Sequence, residues 1–135
     1  MLRIQRIIII DDDPLNNFII TQNIRHSDPS LEIVPFTLAQ EALAYIAKLG
    51  AQAEHNVLLL DLNLLNYSGW TLLEELEQFP WINKNFHIYI ISSSLAPQDF
   101  EMAEANKLVK RYIAKPFTHK EWSNIKLDIA ASKQL

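Results

Sequence analysis

The chain has 135 residues, of which 49% are hydrophobic, and a formal net charge of −4 at pH 7. This length is typical of one domain and the apolar content is sufficient for a buried core, which excludes a disordered chain. The absence of a basic run argues against nucleic-acid binding, and the absence of cysteine excludes disulfides and thiolate metal sites.

The N-terminal apolar run is short, because residues 7–10 are four isoleucines and three aspartates follow them. A signal peptide needs a longer apolar segment with a small-residue cleavage site, and a membrane span needs about 18 apolar residues. We therefore expect a cytoplasmic protein that does not enter a membrane.

Short apolar runs alternate along the chain with segments of helical period. Strands are predicted at residues 7–10, 31–36, 57–60, 87–91 and 109–114. Helices are predicted at residues 15–25, 38–49, 70–79, 97–106 and 118–132. Five strand–helix units in series imply a doubly wound α/β fold with a five-stranded parallel sheet and right-handed crossovers. We expect a single domain over residues 1–135, with a core of about residues 5–132.

Some features of single elements can also be predicted. The run at residues 7–10 is β-branched, which is typical of a strand buried on both faces. The first helix is expected to direct Phe18, Ile19 and Ile24 into the core. Pro35 indicates that the second strand lies at a sheet edge, since proline cannot donate to a neighbouring strand.

Helix boundaries carry their own signals. Thr37 with Gln40 predicts a capping box at the start of the second helix, and Gly50 fits its C-terminal cap. Thr118 with Glu121 predicts a second capping box at the start of the last helix. The helical spacing of Trp122, Ile125 and Ile129 favours burial in the core.

Polar residues follow four of the five predicted strands directly: Asp11 and Asp12, Asp61, Ser92, and Lys115. In an open parallel sheet, ligands bind outside the carboxyl ends of the strands. We therefore expect these side chains to form one pocket, although they are distant in the sequence.

Phosphoryl transfer is the chemistry that this set of groups favours. Clustered carboxylates repel each other unless a cation lies among them, and Mg²⁺, or alternatively Mn²⁺, prefers such oxygen ligands. Lys115 adds a positive charge, and Ser92 can donate a hydrogen bond to a phosphoryl oxygen. Asp61 is then free to act as the nucleophile that forms an aspartyl-phosphate.

Four segments of the chain resemble bacterial response-regulator receiver domains in order and in spacing. They are Ile7-Ile-Ile-Ile-Asp-Asp-Asp-Pro-Leu-Asn16, Leu58-Leu-Leu-Asp-Leu-Asn63 with Gly69, Ile90-Ile-Ser-Ser-Ser94, and Tyr112-Ile-Ala-Lys-Pro-Phe117. The resemblance covers nearly the whole chain and implies a flavodoxin-like (βα)5 receiver fold, similar to that of the chemotaxis response regulator.

The resemblance also implies a role for each matching acid. It makes Asp61 the phosphorylation site and a member of the metal-binding set. Asp12 is the main direct carboxylate ligand of Mg²⁺, Asp11 acts largely through water, and Asn63 contributes its backbone carbonyl. Asp13 is expected to be a solvated or helix-capping acid.

The remaining residues that match the family are implied to bind the phosphoryl group and to change conformation on phosphorylation. Ser92 is the switch hydroxyl, Lys115 the phosphate-binding lysine, and Tyr112 the aromatic residue that turns inward on activation. Lys115-Pro116 corresponds to the family's cis peptide, and a role for Ser94 stays open.

Two positions depart from the family pattern. Leu65 stands where the family usually has proline, and Ser68 stands where an acidic residue is common. Both are expected to alter the rigidity of the loop and the lifetime of the phosphoryl group, but neither removes a chemical group from the pocket.

The expected function is a phosphorylated signalling switch, with no catalysis beyond its own phosphorylation and dephosphorylation. A sensor histidine kinase or a histidine phosphotransfer protein would donate the phosphoryl group. A downstream protein would bind the face of the fourth helix, fifth strand and fifth helix, since no output domain follows in the chain. A chemotaxis-type output and a phosphorelay intermediate both remain open.

Three other functions are less favoured. A phosphatase with an aspartyl-phosphate intermediate needs a second aspartate two residues after the nucleophile, where this chain has Asn63. A pseudo-receiver that only binds partners usually lacks an acid or the lysine, and none is lost here. A nucleotide-binding protein needs a glycine-rich loop, whereas this chain has two glycines in total.

Overall fold

The computed structural model describes residues 4–52 and 54–132. Its strands are β1 (Arg6–Ile10), β2 (Glu32–Phe36), β3 (Asn56–Leu60), β4 (Asn63–Leu64), β5 (Tyr67–Ser68), β6 (Phe86–Ser92) and β7 (Val109–Ala114). Five of them form a parallel sheet in the order β2-β1-β3-β6-β7, whereas β4 and β5 pair as an antiparallel hairpin directly after β3. The predicted fold class is therefore confirmed, and β2 lies at the edge that Pro35 indicated. The hairpin was not predicted, because two-residue strands are too short to show an alternating pattern.

The helices lie on both faces of the sheet. They are α1 (Pro14–Ser27), α2 (Ala39–Leu49), α3 (Gly69–Glu77), α4 (Ile82–Asn85), α5 (Pro97–Ala105) and α6 (His119–Ser132), with a 3₁₀ turn at Gly50–Gln52. Among the helices of the described residues, the single-turn helix α4 and the 3₁₀ turn were not predicted. No helix within the described ranges is long and apolar enough to cross a membrane.

Each strand of the sheet supplies two separate hydrophobic cores. Ile8 and Ile10 of β1 pack with residues of α2 and α3, while Ile7 and Ile9 pack with residues of α1 and α6. Successive side chains of a strand point to opposite faces, so a strand that is covered on both faces needs an unbroken apolar run. This requirement explains the four consecutive isoleucines.

The inward face of α1 differs from the prediction. Ile24 is fully buried as predicted, but the predictions for Phe18 and Ile19 are wrong, because these side chains are 59% and 43% exposed. Ile20 and Asn17 occupy the inward face instead, with 4% and 5% exposure. Residues 17, 20 and 24 follow the i, i+3, i+7 spacing of one helix face, and Phe18 and Ile19 lie outside that face.

Asn17 adds hydrogen bonds to the inward face of α1. Its side-chain amide donates hydrogen bonds to the backbone carbonyl of Asp11 at 3.1 Å and to that of Phe36 at 3.3 Å. These carbonyls lie at the carboxyl ends of β1 and β2. A polar side chain on the buried stripe therefore attaches α1 to both strands, which a count of apolar residues does not reveal.

The two ends of α2 differ in how well they were predicted. The prediction of a capping box at Thr37 and Gln40 is wrong, because Leu38 occupies the N-cap position and no side chain caps the helix. The helix begins at Ala39, which leaves Thr37 one residue too early to bond to the first turn. The C-terminal cap is confirmed, because Gly50 has a φ of 63°, a left-handed value that favours glycine.

The predicted core positions of α6 are confirmed. Trp122 and Ile125 are fully buried, and Ile129 is 3% exposed. The indole nitrogen of Trp122 donates to the Asp28 carboxylate at 2.6 Å, which satisfies the one polar group of this buried ring. The last helix is thereby attached to the end of α1.

Candidate functional site

The centre of the site is an ammonium group between two buried carboxylates. Asp11 follows β1, Asp61 follows β3 and Lys115 follows β7, so all three lie at the carboxyl edge of the sheet. The Lys115 Nζ atom donates to Asp11 Oδ2 at 2.9 Å and to Asp61 Oδ2 at 3.1 Å. The side chains of Asp11 and Asp61 are only 3% and 8% exposed. Residues from three separate units of the chain thus meet in one pocket.

A third acid, Asp12, completes the cluster. One carboxylate oxygen from each of Asp11, Asp12 and Asp61 lies within 4.8 Å of the others, and Asp12 is the most accessible of the three. Lys115 contributes one positive charge against three negative charges. A hard divalent cation with oxygen ligands fits this donor set and its charge.

The backbone holds these carboxylates in place. The Asp11 Oδ1 atom accepts from the backbone N–H of Asp13 at 2.9 Å, and Asp61 Oδ1 accepts from that of Asn63 at 3.2 Å. The N–H of Asp61 donates to the Ile10 carbonyl at 2.9 Å, which joins the ends of β1 and β3. Both acids are therefore positioned by hydrogen bonds within their own turns.

Asp13 and Asn63 lie in those turns. Asp13 is the N-cap of α1 and accepts from the N–H of Leu15 at 2.9 Å, which confirms its capping role. Asn63 opens the hairpin of β4 and β5, and its N–H contact with Asp61 brings its backbone to the pocket.

The electrostatics of the site favour added positive charge. Burial raises the pKa of Asp61 above its ordinary value; Lys115 opposes this rise, and the neighbouring Asp11 charge adds to it. Burial by itself would lower the pKa of Lys115, but its contacts with Asp11 and Asp61 outweigh burial and raise that pKa. Lys115 therefore stays protonated, and the pocket still penalises the Asp61 charge.

Ser92 lies at the end of β6, beside the pocket, and is completely buried. Its Oγ atom accepts from the N–H of Ser94 at 3.1 Å. The N–H of Lys115 donates to the Ser92 carbonyl at 2.9 Å, and the Lys115–Pro116 peptide is cis as predicted. The backbone of Lys115 is thus fastened to the same strand end that carries the Ser92 hydroxyl.

Tyr112 lies on β7, outside the acidic cluster. Its hydroxyl donates to the Ser94 carbonyl at 2.8 Å, and its ring centroid lies 4.3 Å from that of Phe100. Within the described part of the chain, neither Ser92 nor Tyr112 has a hydrogen bond to the three carboxylates. Both instead contact Ser94, so the loop after β6 connects these two residues.

The sequence reasoning missed two residues with a positional role. Asn17 holds the Asp11 backbone from α1, and its place on the stripe of Ile20 and Ile24 was a signal that could have identified it. Asp99 contacts both Trp70 and Ser94. No local pattern marks this residue, because its partners belong to other elements.

Gly69 belongs to one of the four segments that resemble receiver domains, and the structure shows why glycine is required there. A Cβ atom at this position would lie 2.8 Å from the Asp61 carbonyl oxygen and 2.8 Å from the Leu62 Cα atom. Both are backbone atoms that cannot move aside cheaply. Only glycine lets the start of α3 pack this closely against the Asp61 turn.

Comparisons with known proteins agree with this geometry. The response regulator receiver domain family matches residues 7–125. A two-component response regulator from Cytophaga hutchinsonii is 29% identical, with a TM-score of 0.87 over 96% of this chain and 99% of that chain. A response regulator receiver protein from Dyadobacter fermentans is 26% identical, with a TM-score of 0.79 over 96% and 95%.

A more distant structure shares the fold alone. The Vibrio cholerae chemotaxis protein CheY4 is 16% identical, with a TM-score of 0.74 over 94% of this chain and 99% of that chain. No curated protein matches the sequence significantly.

The matched residues 7–125 include every side chain of the pocket described above. The order of the five parallel strands is that of the receiver fold. This protein belongs to the response regulator receiver domain family.

Proposed function

We propose that this receiver is a phosphoacceptor switch in which Asp61 takes a phosphoryl group from a phosphohistidine. The donor would be a sensor histidine kinase or a histidine phosphotransfer protein. The observation that carries the proposal is the Lys115 ammonium, which lies within hydrogen-bond distance of both Asp11 and Asp61. A fixed cation beside a buried carboxylate is the arrangement that phosphoryl transfer requires, since the reaction depends on positioning and charge neutralisation.

A divalent cation belongs to this proposal. Asp12 would bind Mg²⁺ or Mn²⁺ directly, Asp11 largely through water, and Asp61 and the Asn63 carbonyl would complete the protein ligands. Such an ion neutralises the clustered acids and the charge of an incoming phosphoryl group. The three carboxylates within 4.8 Å of one another support this assignment.

A carboxylate oxygen of Asp61 forms a bond to phosphorus as the P–N bond of phosphohistidine breaks. The imidazole nitrogen keeps the electron pair of that bond and takes up a proton. Lys115 and the Ser92 hydroxyl donate hydrogen bonds to the phosphoryl oxygens. These bonds hold phosphorus in line between the Asp61 oxygen and the imidazole nitrogen. Dephosphorylation is a hydrolysis. Water attacks phosphorus, the O–P bond of the acyl phosphate breaks, and the Asp61 carboxylate and inorganic phosphate are released.

The output of the switch is a change of partner binding on the face of α5, β7 and α6. Tyr112 of β7 donates to the carbonyl of Ser94, whose N–H donates to Ser92. A shift of Ser92 toward a phosphoryl group would therefore disturb the Tyr112 contact and alter this face. Such a two-state element can bias the binding of a downstream protein.

Phosphorylation by a small donor tests the proposal directly. The protein is incubated with Mg²⁺ and acetyl phosphate, and its intact mass is measured. We expect a gain of one phosphoryl group in the wild type, no gain in Asp61→Ala, and no gain when a chelator removes the metal ion.

Asp13→Asn is the matched control, because asparagine caps a helix as well as aspartate does. This variant should gain the phosphoryl group at the wild-type rate. An unchanged mass of the wild type with several phosphodonors would reject the phosphoacceptor function and favour a receiver that only binds partners.

A further inference from the structure

A single carboxylate connects the loop after β6 to helix α3. One oxygen of Asp99, Oδ1, accepts from the indole nitrogen of Trp70 at 3.3 Å. The other oxygen, Oδ2, accepts from the Ser94 hydroxyl at 2.5 Å. The Ser94 Oγ atom in turn accepts from the N–H of Ala96 at 3.2 Å. Asp99 thus holds the Ser94 side chain with one carboxylate oxygen and the Trp70 indole with the other.

Ser94 contacts both residues that were predicted to switch. Its N–H donates to the Ser92 Oγ atom at 3.1 Å, and its carbonyl accepts from the Tyr112 hydroxyl at 2.8 Å. The three polar groups of Ser94 therefore have four partners, since its hydroxyl also bonds to Asp99 and to the N–H of Ala96. Any shift of this residue changes the surroundings of both Ser92 and Tyr112.

We propose that Asp99 is a positioning residue that prepares the Ser92 hydroxyl for the phosphoryl group. A serine hydroxyl has one hydrogen to donate and two lone pairs to accept with. The Ser94 N–H occupies a lone pair of Ser92, which leaves the Ser92 hydrogen free to point at a phosphoryl oxygen. Asp99 keeps the Ser94 N–H in the place where it can do this. The inference rests on the proposed function of Asp61.

The hydrogen bond from the Trp70 indole fixes the position of the Asp99 carboxylate. Trp70 is the second residue of α3, and the first, Gly69, packs against the backbone of Asp61 at a distance that excludes any side chain. Asp99 therefore links Ser94 to the start of α3, and the same helix start packs against Asp61. Preorganised hydrogen bonds of this kind raise a rate because no reorganisation is needed during the reaction.

A purely structural role for Asp99 makes different predictions. Asp99 lies in the first turn of α5, where a negative charge stabilises any helix through its macrodipole. Such a role would lower stability when Asp99 is removed, and its effect on phosphorylation would not depend on Ser92. The two roles can therefore be separated by a variant that lacks the Ser92 hydroxyl.

The test compares phosphorylation rates from acetyl phosphate with Mg²⁺. We expect Asp99→Ala to slow phosphorylation about fivefold, a factor typical of one net hydrogen bond. In a Ser92→Ala background, the same substitution should leave the rate unchanged, because the hydroxyl that Asp99 positions is missing. Glu101→Ala is the matched control, since it removes an exposed acid from the same helix and should keep the wild-type rate.

A second measurement needs no phosphoryl transfer. In the ¹⁵N NMR spectrum, Asp99→Ala should shift the Trp70 indole and Ser94 amide resonances, whereas Glu101→Ala should leave both in place. Trp70→Phe identifies the indole resonance by its loss.

Each outcome bears on the inference. A wild-type rate for Asp99→Ala, an equal slowing with and without the Ser92 hydroxyl, or an unmoved Ser94 amide would each overturn it and leave Asp61 as the phosphoacceptor. A wild type that takes no phosphoryl group rejects the proposed function instead, and the assigned role of Asp99 falls with it.

Discussion

Lys115 neutralises only part of the negative charge around it. Its ammonium contacts the carboxylates of Asp11 and Asp61, while Asp12 adds a third acid to the same cluster. Buried acids in excess of their cations destabilise a folded protein, because their charge has lost its water. The site is therefore arranged for binding at a cost in the stability of the metal-free protein.

The first prediction follows from the raised pKa of Asp61. Because burial raises this pKa above 3.8, the unfolded chain releases its proton at a lower pH than the folded protein does. Stability is thus lost as pH rises from 3.8 through the folded-state pKa. We expect Asp61→Asn to raise the urea midpoint of the metal-free protein at pH 7, with a difference that narrows toward pH 3.8.

Asp13→Asn should leave the urea midpoint near the wild-type value, since it keeps the α1 cap. A lower midpoint for Asp61→Asn at pH 7 would contradict the prediction and show that the Lys115 contact outweighs burial.

The second prediction concerns Gly69. Alanine here would overlap the backbone of Asp61 and Leu62. We expect Gly69→Ala to lower the free energy of unfolding by about 1–3 kcal/mol, as overpacking does, and to slow phosphorylation by displacing Asp61. Urea denaturation and the acetyl phosphate assay measure the two effects.

Gly50→Ala separates stability from function. Gly50 has no atom within 4 Å of an added Cβ, but its φ of +63° strains any other residue. Its alanine variant should lose stability and still phosphorylate at the wild-type rate. Equal slowing in both variants would show that lost stability, not a displaced Asp61, is the cause.

Among the elements, α1 shows how a helix face is chosen. Its first half carries three apolar side chains that remain exposed, Leu15, Phe18 and Ile19. Asn17 nevertheless turns inward, where its amide donates to the Asp11 carbonyl and to the Phe36 carbonyl, which also accepts from the N–H of Asp11. The rotation of this helix thus combines the backbone hydrogen bonds of Asn17 with the burial of Ile20 and Ile24.

Strand β6 carries a titratable group at the end opposite the site. Burial, together with the charges of Lys110 and His55, lowers the pKa of His87 to about 4, and its ring centroid lies 5.7 Å from that of His55. A lowered histidine pKa means that the unfolded chain takes up a proton first as the pH falls below 6.5. The protein should therefore lose stability between pH 6.5 and about pH 4.

The third prediction tests this loss. From pH 7.5 to pH 5, His87→Gln should gain about 1 kcal/mol of stability relative to the wild type, after allowance for solvent screening of a part-exposed ring. Urea denaturation at the two pH values measures it. The exposed His26 provides the control as His26→Gln, and an equal pH response of both variants would contradict the assignment.

Over the whole molecule, the site joins the ends of strands that are far apart in the chain. Lys115 is separated from Asp11 by 104 residues and from Asp61 by 54. A ligand that binds this arrangement binds only the folded state, so it stabilises the entire domain.

The fourth prediction is a stabilisation by Mg²⁺. At about 100 times its dissociation constant, the ion should add about 2.7 kcal/mol to the free energy of unfolding, measured as a shift of thermal melting that a chelator reverses. Asp12→Asn should lose most of this shift, whereas the neighbouring Asp13→Asn should keep it. A full shift in Asp12→Asn would remove Asp12 from the metal ligands.

The sequence by itself determined the succession of the five parallel strands and the five longer helices, and the sheet edge where Asp11, Asp61 and Lys115 meet. These features follow from local periodicity and from one rule, that parallel strands place their carboxyl ends together. Both are present in the order of residues along the chain.

Only the tertiary structure decided how α1 is rotated, and that Asp99 joins Trp70 to Ser94. Trp70 and Asp99 are 29 residues apart and belong to different helices. No spacing within one element encodes such a contact, because it depends on how two helices pack on the same sheet. The polar groups that adjust the site are thus chosen by packing, after the sequence pattern has settled which elements form.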